Sequence, residues 1–266
     1  MKKHLLLPTL LIISLISFFQ VSCSKDDDQE IDQELVNDKP GKIPGLGDQE
    51  GELTGKVFQL PEGISVEGEI IGHGGDYSAN SNTREIIKAH SRVNGKLLAS
   101  SPKAEIATDL TQISRGSGIY VRLAIKLKNS TGANKTIELP AGLILKSVSG
   151  TYQNGVLIKK TSVTIPANKT ILLDLSMYCG NSSKSASSSS EKYVFSVVTN
   201  SAPVQDLINR LKNKKINIEQ FAKTDDAIEI YDTQISIIQS LLWQITDGEE
   251  GLTEYDYETI DNIPND

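Results

Sequence analysis

Residues 119–128 alternate without a break. Ile119, Val121, Leu123, Ile125 and Leu127 are aliphatic, and Tyr120, Arg122, Ala124, Lys126 and Lys128 stand between them. A period of two puts one row on each face of a β-strand, whereas a helix would scatter both rows around its axis. The segments that follow repeat the theme at shorter length. Thr136–Leu139 stops at Pro140-Ala141-Gly142, Leu143–Val148 precedes the hairpin signal Asn154-Gly155, and Val156–Ile158 comes next. Ser162–Ile165 ends at Pro166-Ala167-Asn168, Thr170–Tyr178 is the longest run, and Lys192–Thr199 closes the set. Aromatics make up only 5% of the 266 residues, so the core must be built from Ile, Leu and Val. Short strands separated by turn chemistry predict an antiparallel, Ig-like β-sandwich over residues 53–200. Lys56–Leu60, Ser65–Ile71 and Ile86–Ser91 are weaker strand candidates, and Gly180 to Ser190 reads as a mobile Ser/Asn/Lys loop.

Beyond residue 200 the period changes. Val204, Leu207, Ile208 and Leu211 share one helical face after Pro203. A second helix is predicted over Ala227–Ile245, with Tyr231, Ile235, Ile238, Leu242 and Ile245 as its apolar stripe. Thr253-x-x-Asp256 has the form of a capping box for a last short helix. Residues 201–266 are therefore expected to be a small C-terminal helical region.

The two ends of the chain are acidic. Residues 24–52 hold ten Asp/Glu against three Lys, and residues 247–266 hold eight Asp/Glu with no Lys or Arg. The folded body between them carries +6 although the whole chain carries −7. With prolines, glycines and no apolar period, residues 23–52 are expected to be an acidic disordered tether. An overall negative charge argues against a nucleic-acid binder.

Lys2 and Lys3, followed by the apolar run Leu5–Phe19, read as a secretory signal too short to span a bilayer. Val21-Ser22-Cys23 resembles the lipobox of bacterial lipoproteins, and Ser24-Lys25-Asp26-Asp27-Asp28 is similar to the acidic export run of surface lipoproteins in Bacteroidota. The resemblance implies a signal peptide over residues 1–22 and lipid on Cys23, whose several acyl chains would hold the protein at the outer membrane, facing outward.

Catalytic and metal motifs are missing. Gly72-His73-Gly74-Gly75 has no Gly-x-Ser-x-Gly partner and reads as a turn; His73 and His90 lack an evident third ligand. No metal and no cofactor is expected. Cys179 is different. With Cys23 lipidated it has no disulfide partner, so it is buried and inert, free and reactive, or used between molecules. It ends a strand, and Gln239 lies on the flank of the second helix with Trp243 one turn beyond. A strand-end Cys followed by an Ile238-Gln239-x-x-Leu242-Trp243 helix resembles the Cys–Gln thioester domains of bacterial surface adhesins. By that resemblance Cys179 is the thioester cysteine and Gln239 its acyl donor. The sulfur would displace ammonia from the carboxamide and hold the acyl group for an amine or hydroxyl on a target. Leu241 stands where that family carries Ala, and Gly180 where it carries an apolar residue.

Together these features lead to the expectation of a non-enzymatic surface lipoprotein. It would act as an adhesion or binding module toward a host or cell-surface protein or glycan. The alternative expectation is a structural or accessory component of a cell-envelope complex. An enzyme acting on polysaccharide would need two carboxylates at a set distance, which no motif here announces.

Overall fold

The computed structural model describes residues 34–73 and 110–266. Cys23, the signal peptide, residues 23–33 of the tether, the candidate strand Ile86–Ser91 and His90 lie outside the described residues. Among those described, eleven strands and three α-helices run in the order β1 Gly55–Val57, β2 Ile64–Val66, β3 Ile70–Gly72, β4 Thr111–Gly116, β5 Val121–Asn129, β6 Lys135–Leu139, β7 Leu143–Ser147, β8 Gly155–Val156, β9 Thr161–Ile165, β10 Thr170–Cys179, β11 Lys192–Thr199, α1 Ala202–Leu211, α2 Asp225–Thr246 and α3 Glu254–Asp261.

The β layer is a closed barrel, and the Ig-like sandwich expected from the sequence is wrong. Six antiparallel strands follow one another as β5, β3, β11, β7, β8 and β10, and β10 returns to β5. β2 adds to β5, β1 to β11, and β4 runs parallel beside β10; β6 and β9 form a separate pair. Alternation tells which face of a strand is buried, but it does not tell whether the first and last edges of a sheet meet. Here the length of β10 decides. Its first eight residues pair with β5, from Thr170 opposite Lys128 to Met177 opposite Val121, while Tyr178 and Cys179 pair with β8. One strand thus joins both ends of the sheet and removes its free edges.

The alternating row of β5 fills the interior. Leu123, Ile125 and Val121 face Leu175, Leu173 and Met177 of β10, and none of the six is exposed. Six strands enclose less space than the eight whose interior side chains just fill, which suits a barrel interior packed with these aliphatic side chains. A second core lies outside the wall. There α1 and α2 lay Val204, Leu207, Ile208, Tyr231, Ile235, Ile238 and Leu242 over Ile144, Val156, Ile158 and Tyr178. The Thr253 capping box forms at the start of α3: its hydroxyl accepts from Asp256 N–H, and the Asp256 carboxylate accepts from Thr253 N–H.

The tether expectation fails over its second half. From Val36, which bridges to Ser201, the chain lies on the body, and Ile43 and Leu46 are completely buried in the second core. Two aliphatic residues five positions or fewer from three glycines carry no period, so the sequence pattern alone does not reveal them. Gly41 and Gly47 are used for close approach rather than for flexibility. Both have positive φ, and a Cβ on Gly47 would overlap the Thr246 carbonyl oxygen, as one on Gly41 would overlap that of Gly248. The Ser-rich loop 180–190 is likewise pinned: Asn181 and Ser187 are buried, Gln153 N–H donates to Ser185 O, and Ser187 N–H donates to Tyr120 O.

Candidate functional site

Cys179 is the last residue of β10, at the barrel mouth, two residues past Met177, which faces the first residue of β5, Val121. On one edge it pairs with Gly155 of β8. On the other edge its N–H and C=O would be orphans inside the protein. Helix α2 supplies the missing partner. Gln239 Oε1 accepts from Cys179 N–H at 2.8 Å, and Gln239 Nε2 donates to Cys179 O at 2.9 Å. One carboxamide has the same donor and acceptor as a peptide unit, so Gln239 continues the ladder by one rung with a side chain in place of a strand. Its position on the flank of the apolar stripe makes this possible: Ile235, Ile238 and Leu242 seat the helix on the wall, and Gln239 is left facing the strand end.

The sulfur is held separately. It accepts from Trp243 Nε1–H at 3.3 Å and from Asn181 N–H at 3.4 Å, and its own hydrogen points to Asn181 O at 3.2 Å. Trp243 is backed by Tyr120, with ring centroids 5.3 Å apart. Burial pushes the thiol up to about 12; the hydrogen bonds from Asn181 and Trp243 offset part of that. At neutral pH the group is a protonated thiol, not a nucleophilic thiolate. The structure thus brings Cys179, Gln239 and Trp243 together, with the amide of Gln239 engaged at both ends by backbone and the sulfur engaged elsewhere.

Asn181 and the segment 40–49 complete the site, and neither is apparent from the sequence. Asn181 Nδ2 donates to Gly47 O at 2.8 Å, its Oδ1 accepts from Asn154 N–H at 3.0 Å, and Gly47 N–H donates to Gly180 O at 2.7 Å. Asn154, named in the sequence only as hairpin punctuation, accepts from Ser147 N–H with Oδ1 and donates to Gly45 O with Nδ2. Beside this segment lies an open hollow of about 340 Å³, lined among others by Asp48, Glu50, Lys146 and Lys184. Its mixed charges present no field of one sign.

A second polar cluster sits on the outer wall of the barrel. Asp174 is buried, with His73 Nε2 at 2.8 Å from one oxygen and Arg122 Nη2 at 3.2 Å from the other. His73 therefore closes on a carboxylate of β10, a partner that its Gly-His-Gly-Gly setting does not suggest. Among the described residues no group of three His, Cys, Asp or Glu stands together as a metal site. Comparison with known families, curated proteins and solved structures gives no match.

Proposed function

We propose that the chain is a lipid-anchored surface module that recognises a partner through its outer face and holds Cys179 and Gln239 as a non-covalent clamp. The observation that carries this reading is the filled barrel: among the described residues Val121, Leu123, Ile125, Leu173, Leu175 and Met177 are buried side by side inside it, which favours recognition on the outer surface. The anchor is motivated by Val21-Ser22-Cys23. The partner is a protein or glycan of a host or neighbouring cell surface.

The anchor is tested by growing cells with a clickable fatty acid. Label should be found on the wild-type chain and lost in Cys23→Ala, and protease added to intact cells should degrade the protein. Unchanged label in Cys23→Ala, or release of the wild type into the medium, rejects the lipid anchor; protection in intact cells with label retained rejects outward display.

A further inference from the structure

Among the described residues seven large hydrophobic side chains are exposed, and five of them lie along β11. Val194 stands on β11 itself, opposite Lys146 of β7. Ile144, two residues before Lys146, belongs to the core outside the barrel wall, so Lys146 and Val194 share that outer face. Val148 N–H donates to Lys192 O, which makes Val148 the diagonal neighbour of Val194, about 7–8 Å away. On the other edge of β11, Val57 of β1 pairs with Val197, whose side chain also reaches the outer core. Leu35 and Val36 extend the row. Thr199 N–H points to Gly142 O on the β7 side, so Asn200 O points to the β1 side, where Val36 N–H takes it at 2.8 Å. The five side chains are between 39% and 66% exposed. The charge here differs from the rest: β1, β7 and β11 hold Lys56, Lys146 and Lys192 and no Asp or Glu, in a chain of net charge −7. Glu52 and Glu69 reach Lys146 and Lys192 from outside these strands.

We propose that this flank, the row from Leu35 and Val36 through Val57 to Val194 and Val148, is a docking surface for the lipid bilayer. The proposal rests on the lipid anchor at Cys23 and adds which face of the body the bilayer meets. Connectivity selects lipid as the occupant. The chain that leads from Cys23 joins the body through Leu35 and Val36, and these two are the first members of the row. An anchor therefore brings the row to the lipid before the helical side, where the other two exposed groups, Ile230 of α2 and Tyr255 of α3, are placed. One exposed valine is ordinary protein surface. A row of them held beside a membrane by a covalent tether meets lipid at a high effective concentration, so a weak contact suffices. The aliphatic groups enter the boundary between headgroups and acyl chains, and the lysine stems lie along it with their ammonium groups at the phosphates. The rest of the outer face is left to the partner.

The test uses the chain purified from its cells and reconstituted in phosphatidylcholine–phosphatidylglycerol vesicles, some of whose lipids carry a nitroxide quencher just below the headgroup. Val57→Cys, Val194→Cys and, as a control on α3, Tyr255→Cys each carry a fluorophore; all three positions are exposed, and Cys179 is buried and does not compete for label. Flotation with the vesicles reads the anchor, and quenching reads the flank. The labels at 57 and 194 should be quenched several-fold more than the label at 255. A chain that floats with all three labels quenched alike, or with none quenched, overturns the flank and leaves the anchor standing. A chain that does not float overturns the anchor and the flank with it. Energy transfer between flank labels on two chains, without quenching by lipid, assigns the row to a second copy and overturns the proposal.

Discussion

Gln239 is a side chain used as backbone. It satisfies two buried groups of Cys179 that β5 leaves behind. Gln239→Ala should therefore cost more than the loss of an ordinary hydrogen bond, about 2–4 kcal/mol, since each orphaned buried group costs on the order of 1–3 kcal/mol. Urea denaturation checks this; a loss under 1 kcal/mol would mean that water or another group takes its place. The thiol adds a pH signature. The folded-state value is about 12 against an ordinary 9.0, so the folded chain binds the proton more tightly than the unfolded one. The stability this represents is complete below pH 9 and is lost as pH rises from 9 to 12, by up to about 1.4 kcal/mol per unit. Tyr178 and Tyr193, also raised by burial, steepen the decline further up. Cys179→Ala should show a shallower fall between pH 9 and 12 than the wild type. Identical slopes would mean that the thiol is already solvated in the native state.

At the scale of elements, segment 34–52 belongs to the fold. A chain beginning at Leu53 loses the burial of Ile43 and Leu46, worth about 3–6 kcal/mol together. It should melt well below the full-length protein; an unchanged melting temperature would show that the segment does not pack in solution. The acidic, proline- and glycine-bearing composition of this stretch reads as disorder because composition averages over positions, while the packing depends on two residues and on glycines at collision points. The strands were far more legible. β5, β7, β10 and β11 are found nearly at their expected bounds because alternation and turn chemistry are local. β4 escaped notice because Thr111-Gln112-Ile113-Ser114-Arg115-Gly116 offers one aliphatic residue and is held by pairing alongside β10. The three helices are found where their stripes and caps put them, since both signals repeat within a few residues.

For the whole molecule, closure was beyond what local patterns can say. A sandwich and a barrel share the same alternation; they differ in whether β10 can reach both β5 and β8, a matter of register between residues 22 to 56 positions apart. The site was legible in part for the same reason. The strand-end Cys179 and the flank position of Gln239 on its helix are local features, and both residues meet. The manner of meeting, amide to backbone, depends on where β5 begins, since its first residue Val121 leaves Cys179 unpaired on that edge. A clamp and a covalent adhesin differ in the fate of two groups. In a thioester the Gln239 amide nitrogen has left as ammonia and Cys179 has no thiol; in a clamp both are retained.

Intact-mass spectrometry of the purified protein distinguishes the two most directly. The clamp predicts, once the N-terminal processing is accounted for, a mass equal to that of the sequence, no change on treatment with methylamine, and a free thiol at Cys179 after denaturation. A mass lighter by one ammonia, made up by methylamine and absent in Cys179→Ala, would contradict it.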